Sequence, residues 1–195
     1  MAFFYVRHNV PFLKQGEILT NLLEFKLQIP RETNISAIKE PKFDPIYHPY
    51  AIVVSQGCDL EWDYNARAGE ALEHKLLTHV LFCGLFSREE ITDQSKRKSR
   101  VFSQIKDGRD ERYHYLAPAP IDGTDESMPE STADFKTTFS LPVELVYWLV
   151  STGQAIREGA LVSPYLEEFM HRLYSYLGRV ATPDEIMDVQ FPPPS

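Results

Sequence analysis

The sequence predicts a single domain of the α+β class, with strands concentrated in the first half and helices later in the chain. Its 195 residues are 43% hydrophobic and 12% aromatic, which is enough to build a buried core. A short apolar run rich in β-branched residues, Tyr50–Val54, predicts a buried central strand. From Leu166 to Leu177, apolar residues recur at helical spacing and form one face. Strands that precede helices in this way indicate α+β.

Charge and composition exclude several classes of protein. The net charge of −8 disfavours extensive wrapping of nucleic acid, although a local basic patch stays compatible with it. The two cysteines, Cys58 and Cys83, cannot form a disulfide framework and favour a reducing compartment, so we expect a cytoplasmic location. No apolar run approaches the ~20 residues of a membrane span, and the first residues lack the pattern of a secretory signal. We therefore expect no membrane partner.

Hydrophobic periodicity and turn-forming residues predict the strands and helices of the first 120 residues. We predict strands over residues 17–23, 50–54, 76–86 and 112–116. Residues 28–50 contain four prolines and are predicted to form a long loop. Residues 61–75 show no clear pattern. Ser87 and Glu90 form a capping box, which predicts a helix over residues 88–105.

The last third of the chain is predicted to be mainly helical. Residues 121–134 hold five acids and no bases and are predicted to form a solvated loop, followed by a strand over residues 135–141. Pro142 and the pair Ser163-Pro164 are typical of helix starts. We expect a helical extension over residues 135–180.

One segment resembles a known family. Gly16-Glu17-Ile18, a long loop, and then His48-Pro49 before the strand Tyr50–Ser55 resemble the MazF/PemK-like toxins. The resemblance implies a small SH3-like β-barrel within residues 1–120, a homodimer, and a bacterial toxin–antitoxin or defence setting. Many members of that family cut single-stranded RNA without a metal, whereas others are regulatory modules that bind a protein. The family has arginine where this chain has His48.

Two residues are the candidates for catalysis if the chain cuts RNA. An unperturbed imidazole titrates near neutral pH, so a histidine such as His48 could act as a general acid or base, although a loop histidine bonded to a carbonyl fits the sequence too. Ser55 opens a polar turn, Ser55–Asp59, directly after the buried strand, where sites often form. Alternatively, the polar side chains of that turn only form hydrogen bonds with the backbone.

A basic cluster is the candidate for RNA binding. Lys96, Arg97 and Arg100 fall on one predicted helix, and Arg112 follows with tyrosines beside it. Such a stripe suits a phosphate backbone, but a solvated helix face has the same appearance. Trp62 lies in a strongly polar setting and is the candidate anchor for a protein partner such as an antitoxin. Because no C-x-x-C or H-E-x-x-H motif occurs, we expect no metal and no cofactor.

Overall fold

Nine strands form one mixed sheet whose spatial order differs from the order along the chain. The computed structural model describes residues 4–28, 42–69, 72–93 and 98–179. Within these residues the strands are β1 Tyr5–Val6, β2 Glu17–Gln28, β3 Lys42–Val53, β4 His79–Phe86, β5 Tyr113–Leu116, β6 Ala119–Asp122, β7 Ser127–Met128, β8 Ser131–Pro142 and β9 Arg157–Leu161. Their order across the sheet is β5-β8-β4-β3-β2-β9-β1-β6-β7. Because β8 and β9 lie between earlier strands, the predicted C-terminal extension shares one sheet with the N-terminal strands.

Five α-helices accompany the sheet in the described residues. They are α1 Gly57–Arg67, α2 Arg88–Asp93, α3 Lys98–Lys106, α4 Val143–Ser151 and α5 Tyr165–Leu177. The predicted capping box at the start of α2 is confirmed, since the Glu90 N–H donates to Ser87 Oγ at 3.3 Å and the Ser87 N–H donates to Glu90 Oε2 at 2.7 Å. None of these helices combines the length and apolar character needed to cross a membrane.

The central strands supply apolar side chains to both faces of the sheet. On one face Ile52 and its neighbours pack with Phe169 of α5. On the other face Val53 belongs to a core that includes Leu60 of α1 and Val146 of α4. Because successive strand residues point to opposite faces, a strand covered on both sides is apolar without interruption. The predicted buried central strand is confirmed, and so is the α+β class.

Three buried carboxylates are each held by an arginine. Glu17, which is 2% exposed, accepts hydrogen bonds from Arg157 Nε at 2.6 Å and from Arg157 Nη2 at 3.0 Å. Arg157 also donates to the carbonyls of Val10 and Phe12, which fastens the segment before β2 to β9. The other two pairs are Asp63 with Arg67 and Asp134 with Arg112. A buried carboxylate is tolerated when it is paired in this way.

The predicted loop over residues 28–50 is wrong from Lys42 onward, where the chain forms β3. Pro45 and Pro49 do not break this strand, because residues before Tyr50 pair with β2 alone and a strand with one open side tolerates proline. Residues 29–41 lie outside the described part of the chain.

Two further expectations need correction. The segment 121–134, predicted to be a solvated loop, contains β7 and the start of β8, and Ser131–Asp134 is buried because β8 pairs there with both β4 and β5. The predicted SH3-like barrel is not confirmed: β5 and β7 are the two ends of an open sheet within the described residues.

Removing the partner of Glu17 should destabilise the fold strongly. Arg157→Ala is expected to lower the free energy of unfolding by about 3–5 kcal/mol, because a buried carboxylate is left unpaired. Arg7→Ala is the matched control, since Arg7 pairs with the exposed Glu126 and its loss should cost less than about 1 kcal/mol. Urea unfolding followed by circular dichroism measures both, and equal losses would contradict this assignment.

His114 should make the fold less stable in mild acid. Its ring meets Phe169 edge-on with centroids 5.3 Å apart, and burial, with a smaller effect from the Arg172 cation, lowers the pKa of His114 to about 4. The unfolded chain has a histidine pKa of about 6.5, so between these values it binds a proton that the folded chain does not. The free energy of unfolding should therefore fall as the pH is lowered from about 6.5 to about 4.

The His114→Gln variant isolates this contribution in urea titrations at a series of pH values. The variant should lose part of the slope over that pH range, whereas His79→Gln, which changes an exposed histidine, should keep it. An unchanged slope in His114→Gln would exclude His114 as the titrating group.

Candidate functional site

Strands β2 and β3 continue together beyond the rest of the sheet. The pairing of β2 with β9 ends at Leu19, and that of β3 with β4 ends at Tyr50. The β2–β3 register nevertheless continues from Leu22 opposite His48 to Gln28 opposite Lys42. We call this two-stranded segment, residues 22–28 and 42–48, the arm.

One face of the arm consists entirely of uncharged residues. Because directly paired residues share a face and alternate residues return to it, one set of side chains lies together. This apolar face comprises Leu23, Phe25, Leu27, Phe43, Pro45 and Tyr47. Three of its rings are well exposed: Phe25 at 59%, Phe43 at 57% and Tyr47 at 70%. The described residues contain nothing that buries them.

The opposite face of the arm is mainly polar and is held by diagonal cross-strand contacts. His48 Nε2 lies 2.9 Å from Glu24 Oε2, and the side-chain amide of Gln28 donates to Asp44. Lys26 lies on the same face, directly opposite Asp44. Diagonal pairs of this kind connect the two strands where no neighbouring strand supports them.

A cleft of about 330 Å³ separates this polar face from the β4–β8 part of the sheet. Its walls include Glu24, His48, Phe86, Lys136 and Phe139. The His48 ring stacks on the Phe139 ring with a centroid distance of 3.8 Å and an interplanar angle of 7°. Stacking and the contact with Glu24 fix the imidazole, whose side chain is only 11% exposed. The cleft therefore has a rigid wall at His48.

The acids of the cleft have partners, whereas its lysines have none within the part of the chain that the structure describes. Glu24 contacts His48, and the Glu90 carboxylate accepts the Ser87 N–H at the start of α2. Lys26 and Lys136 also line the cleft, and among the described residues neither forms an ion pair. The cleft thus presents positive charge in a protein whose net charge is −8.

The structure does not bring the two predicted catalytic residues together. His48 lies in the arm, whereas Ser55 follows the opposite end of β3 and its Oγ accepts the Leu81 N–H at 2.8 Å. An extended chain rises about 3.3 Å per residue, so the two side chains are separated by roughly 20 Å. Ser55 therefore joins β3 to β4 at a different place, and the pair cannot act on one phosphate.

The predicted basic stripe is only partly within the described residues. Lys96 and Arg97 lie outside them, and so does the side chain of Arg100, which is a residue of α3. Arg112 donates from Nε to Asp134 Oδ1 at 2.7 Å, and its guanidinium lies 4.8 Å from the centre of the Tyr113 ring. The hydrogen bond to Asp134 raises the pKa of Arg112 above its usual value. Arg112 is thus engaged with a buried carboxylate, and its predicted role in RNA binding stays a prediction.

Trp62 lies on α1 and is 49% exposed, with Lys75 Nζ 5.4 Å from its ring centre. It belongs neither to the arm nor to the cleft. Its predicted role as a partner anchor stays a prediction.

Sequence reasoning missed the arm, although the sequence carries a signal for it. Residues 23–28 read Leu-Glu-Phe-Lys-Leu-Gln, a strict alternation of apolar and polar side chains. The prediction ended this strand at Leu23, and the prolines of the following segment concealed its partner strand. Glu24 and Lys26 were not among the candidate residues for the same reason. Lys136 was not among them because only the tertiary structure brings β8 to the cleft.

Comparison of the chain with protein-family models, with curated proteins and with solved structures gave no significant match. Among the described residues, no group of three or more histidine, cysteine, aspartate or glutamate side chains is placed to hold a metal ion.

Proposed function

We propose that this chain is a non-catalytic protein-binding module that docks on a partner protein through the apolar face of the arm. The observation that carries the proposal is the exposure of Phe25, Phe43 and Tyr47 on a face without a charged residue. Exposed contiguous apolar patches are typical of interaction surfaces. Aromatic side chains are also the residue type that most often anchors a protein interface.

The two-stranded structure of the arm also favours a protein-binding function. A two-stranded ribbon is only marginally stable in water unless another surface covers one of its faces. The partner that we propose presents an apolar surface, because the face has no charge to pair with and the rest of the chain is strongly acidic. As part of this proposal, the chain is related to the regulatory, protein-binding members of the MazF/PemK-like family. A cytoplasmic location suits the exposed thiol of Cys58 and belongs to the proposal too.

Removing two rings from the apolar face should abolish partner binding without unfolding the chain. For Phe25→Ser with Tyr47→Ser we expect affinity for the partner to fall at least about tenfold, because truncated hot-spot aromatics typically cost that much. The partner is isolated from cells with the wild-type chain, purified, and titrated with each variant by calorimetry.

The control for this experiment changes the polar face of the same arm. Lys42→Ser removes one exposed side chain from the polar face and should leave the affinity unchanged. A purified partner that binds all three proteins equally would overturn the proposal. If the wild-type chain sediments as a dimer and the apolar-face variant sediments as a monomer, the apolar face binds a second copy of this chain and not a different protein.

A second candidate function is cleavage of single-stranded RNA in the cleft. The observation that favours it is the contact between His48 and Glu24 beside Lys26 and Lys136. A carboxylate that orients an imidazole is a common arrangement for a general base, which could take the proton of a ribose 2′-hydroxyl. Lysines can stabilise the charge that develops on the attacked phosphate. Ser55 has no part in this candidate.

If the cleft cuts RNA, the wild-type chain should cleave a mixed-sequence single-stranded RNA in the presence of EDTA. His48→Gln and Glu24→Gln should each lower the rate by about 100-fold or more, the usual contribution of general acid–base catalysis. Ser55→Ala should cleave at the wild-type rate. Absence of cleavage, or cleavage that His48→Gln leaves intact, would exclude this candidate.

A further inference from the structure

We propose that two copies of this chain join their arms edge to edge through β2, as antiparallel neighbours in one sheet. The contact surface consists of the backbone N–H and C=O groups of Leu23, Phe25 and Leu27, which point away from β3. We call it the β2 edge. The inference goes beyond the proposed protein-binding function, because it uses the main chain of β2 and leaves the side chains of the apolar face exposed.

The alternation of β2 changes at Asn21, so the arm has to be described separately from the body. Leu19 and Leu22 belong to the same buried core, although residues three apart in a regular strand lie on opposite faces. Asn21 lies between them and has a positive φ of 57°. A residue in this left-handed region redirects the part of the strand that follows it.

The pair of Phe25 with Pro45 establishes the hydrogen-bond pattern of the arm. Directly opposite residues of antiparallel strands alternate between pairs that exchange backbone hydrogen bonds and pairs that do not. Proline has no N–H to exchange, so this pair is of the second kind. The neighbouring pair of Lys26 with Asp44 is therefore of the first kind. It follows that even-numbered residues of the arm bond to each other across the two strands, and odd-numbered residues direct their backbone groups outward.

The two outer edges of the arm differ in their protection. Proteins commonly place proline on an exposed strand edge, where it removes a donor. The outer edge of β3 carries Pro45 and Pro49, whereas β2 contains no proline. The last bond between β2 and the β9 side runs from the Thr20 N–H to the Ile156 carbonyl at 3.0 Å. Beyond it, no strand among the described residues pairs with the β2 edge, which is therefore available to another strand.

The sequence of the β2 edge is complementary to itself in one antiparallel register. Residues 23–27 read Leu-Glu-Phe-Lys-Leu. With Phe25 opposite Phe25 of the second copy, Leu23 of each copy faces Leu27 of the other, and these outward-facing residues can exchange both backbone hydrogen bonds. The same register sets Glu24 of each copy opposite Lys26 of the other. Opposite charges at paired positions stabilise a sheet, and the two-fold symmetry makes this contact occur twice.

Two features of the arm favour a second copy as the occupant of the edge. Lys26 is exposed and forms no ion pair within the described residues, although it lies opposite Asp44. A two-stranded ribbon is marginally stable in water, whereas a sheet of more strands with an apolar face is stable. Joining two arms gives a four-stranded sheet, and the two-fold axis sets both apolar faces on the same side. The combined face is the surface that the partner of the proposed function would cover.

Charge reversal at one position tests the register. In Lys26→Glu both contacts between residues 24 and 26 become contacts between like charges, so the dissociation constant of the dimer should rise at least about tenfold. Lys42→Glu makes the same change of net charge on β3, away from the β2 edge, and should stay within about threefold of wild type. Sedimentation equilibrium of the full-length chain measures both constants. Equal constants for the two variants would overturn the proposal.

A second substitution should restore the complementarity. Glu24→Lys combined with Lys26→Glu again sets opposite charges at both positions, so the dimer should recover to within about threefold of wild type. The double variant keeps every change within the arm that the single variants make, including loss of the contact between Glu24 and His48. Recovery therefore reports the contact between copies. A double variant that dimerises as weakly as Lys26→Glu would contradict the register.

Cysteine cross-linking locates the two-fold axis. The background variant is Cys58→Ser, which removes the exposed native thiol and keeps the buried Cys83. Phe25→Cys brings two thiols together at the axis, because Cα atoms of a hydrogen-bonded pair lie about 5.5 Å apart, within the range of a disulfide. Leu23→Cys is the control, since its two copies are displaced along the strands by about 13 Å. Oxidised glutathione should link only the first variant into a dimer on a non-reducing gel, and equal linking of both would exclude this register.

The outcomes distinguish this inference from the proposed function. Phe25→Ser with Tyr47→Ser keeps the backbone of the β2 edge, so it should stay a dimer while losing the partner. A wild-type chain that is monomeric up to about 0.1 mM, with a purified partner that this variant loses, would overturn edge pairing and leave the function in place. A dimer that follows the charge reversals, with a purified partner that binds the variant like wild type, would overturn the function and leave edge pairing. A dimer that the variant loses and Lys26→Glu keeps would join through the apolar faces and would overturn edge pairing.

Discussion

The end of the β3–β4 pairing at Tyr50 determines which part of β3 is buried in the core and which part is exposed. From Tyr50 to Val53 this strand is paired on both sides, and its side chains fill the cores on both faces of the sheet. Before Tyr50 the same strand pairs, among the described residues, only with β2, so one of its edges is open and its side chains other than Ile46 and His48 are exposed. One continuous strand therefore belongs at one end to the core and at the other end to the proposed interaction surface.

The charged side chains differ between the body of the protein and the arm. In the body of the protein the buried carboxylates of Glu17, Asp63 and Asp134 are each held by an arginine, which fastens peripheral segments to the sheet. These arginines serve the fold, and Arg112 is one of them. In the arm and its cleft the lysines stay unpaired among the described residues. The lysines that the proposed partner could contact therefore lie at the arm, where the described ion pairs of the fold do not use them.

Several features could be predicted from the sequence because they depend on neighbours along the chain. The capping box of Ser87 and Glu90, the apolar run that became the end of β3, and the apolar stripe of α5 are all local patterns, and each was found. Helix α1 was missed because its apolar stripe is narrow, with only Leu60, Asp63 and Ala66 buried. The burial of the Asp63 carboxylate depends on hydrogen bonds from Arg67 and from the Leu77 N–H. The spacing of apolar residues along the chain does not reveal such hydrogen bonds.

The sequence by itself determined the fold class, the two-sided burial of the central strand and the amphipathic C-terminal helix, because hydrophobic period and caps act over a few residues. Only the tertiary structure decided that the proline-containing segment is a strand, since its pairing partner lies about twenty residues away in sequence and supplies the ladder from outside. The tertiary structure also separated His48 from Ser55 and placed His48 against Glu24 and Phe139. Distances across a sheet follow from register, and register is a property of paired strands that neither strand contains alone.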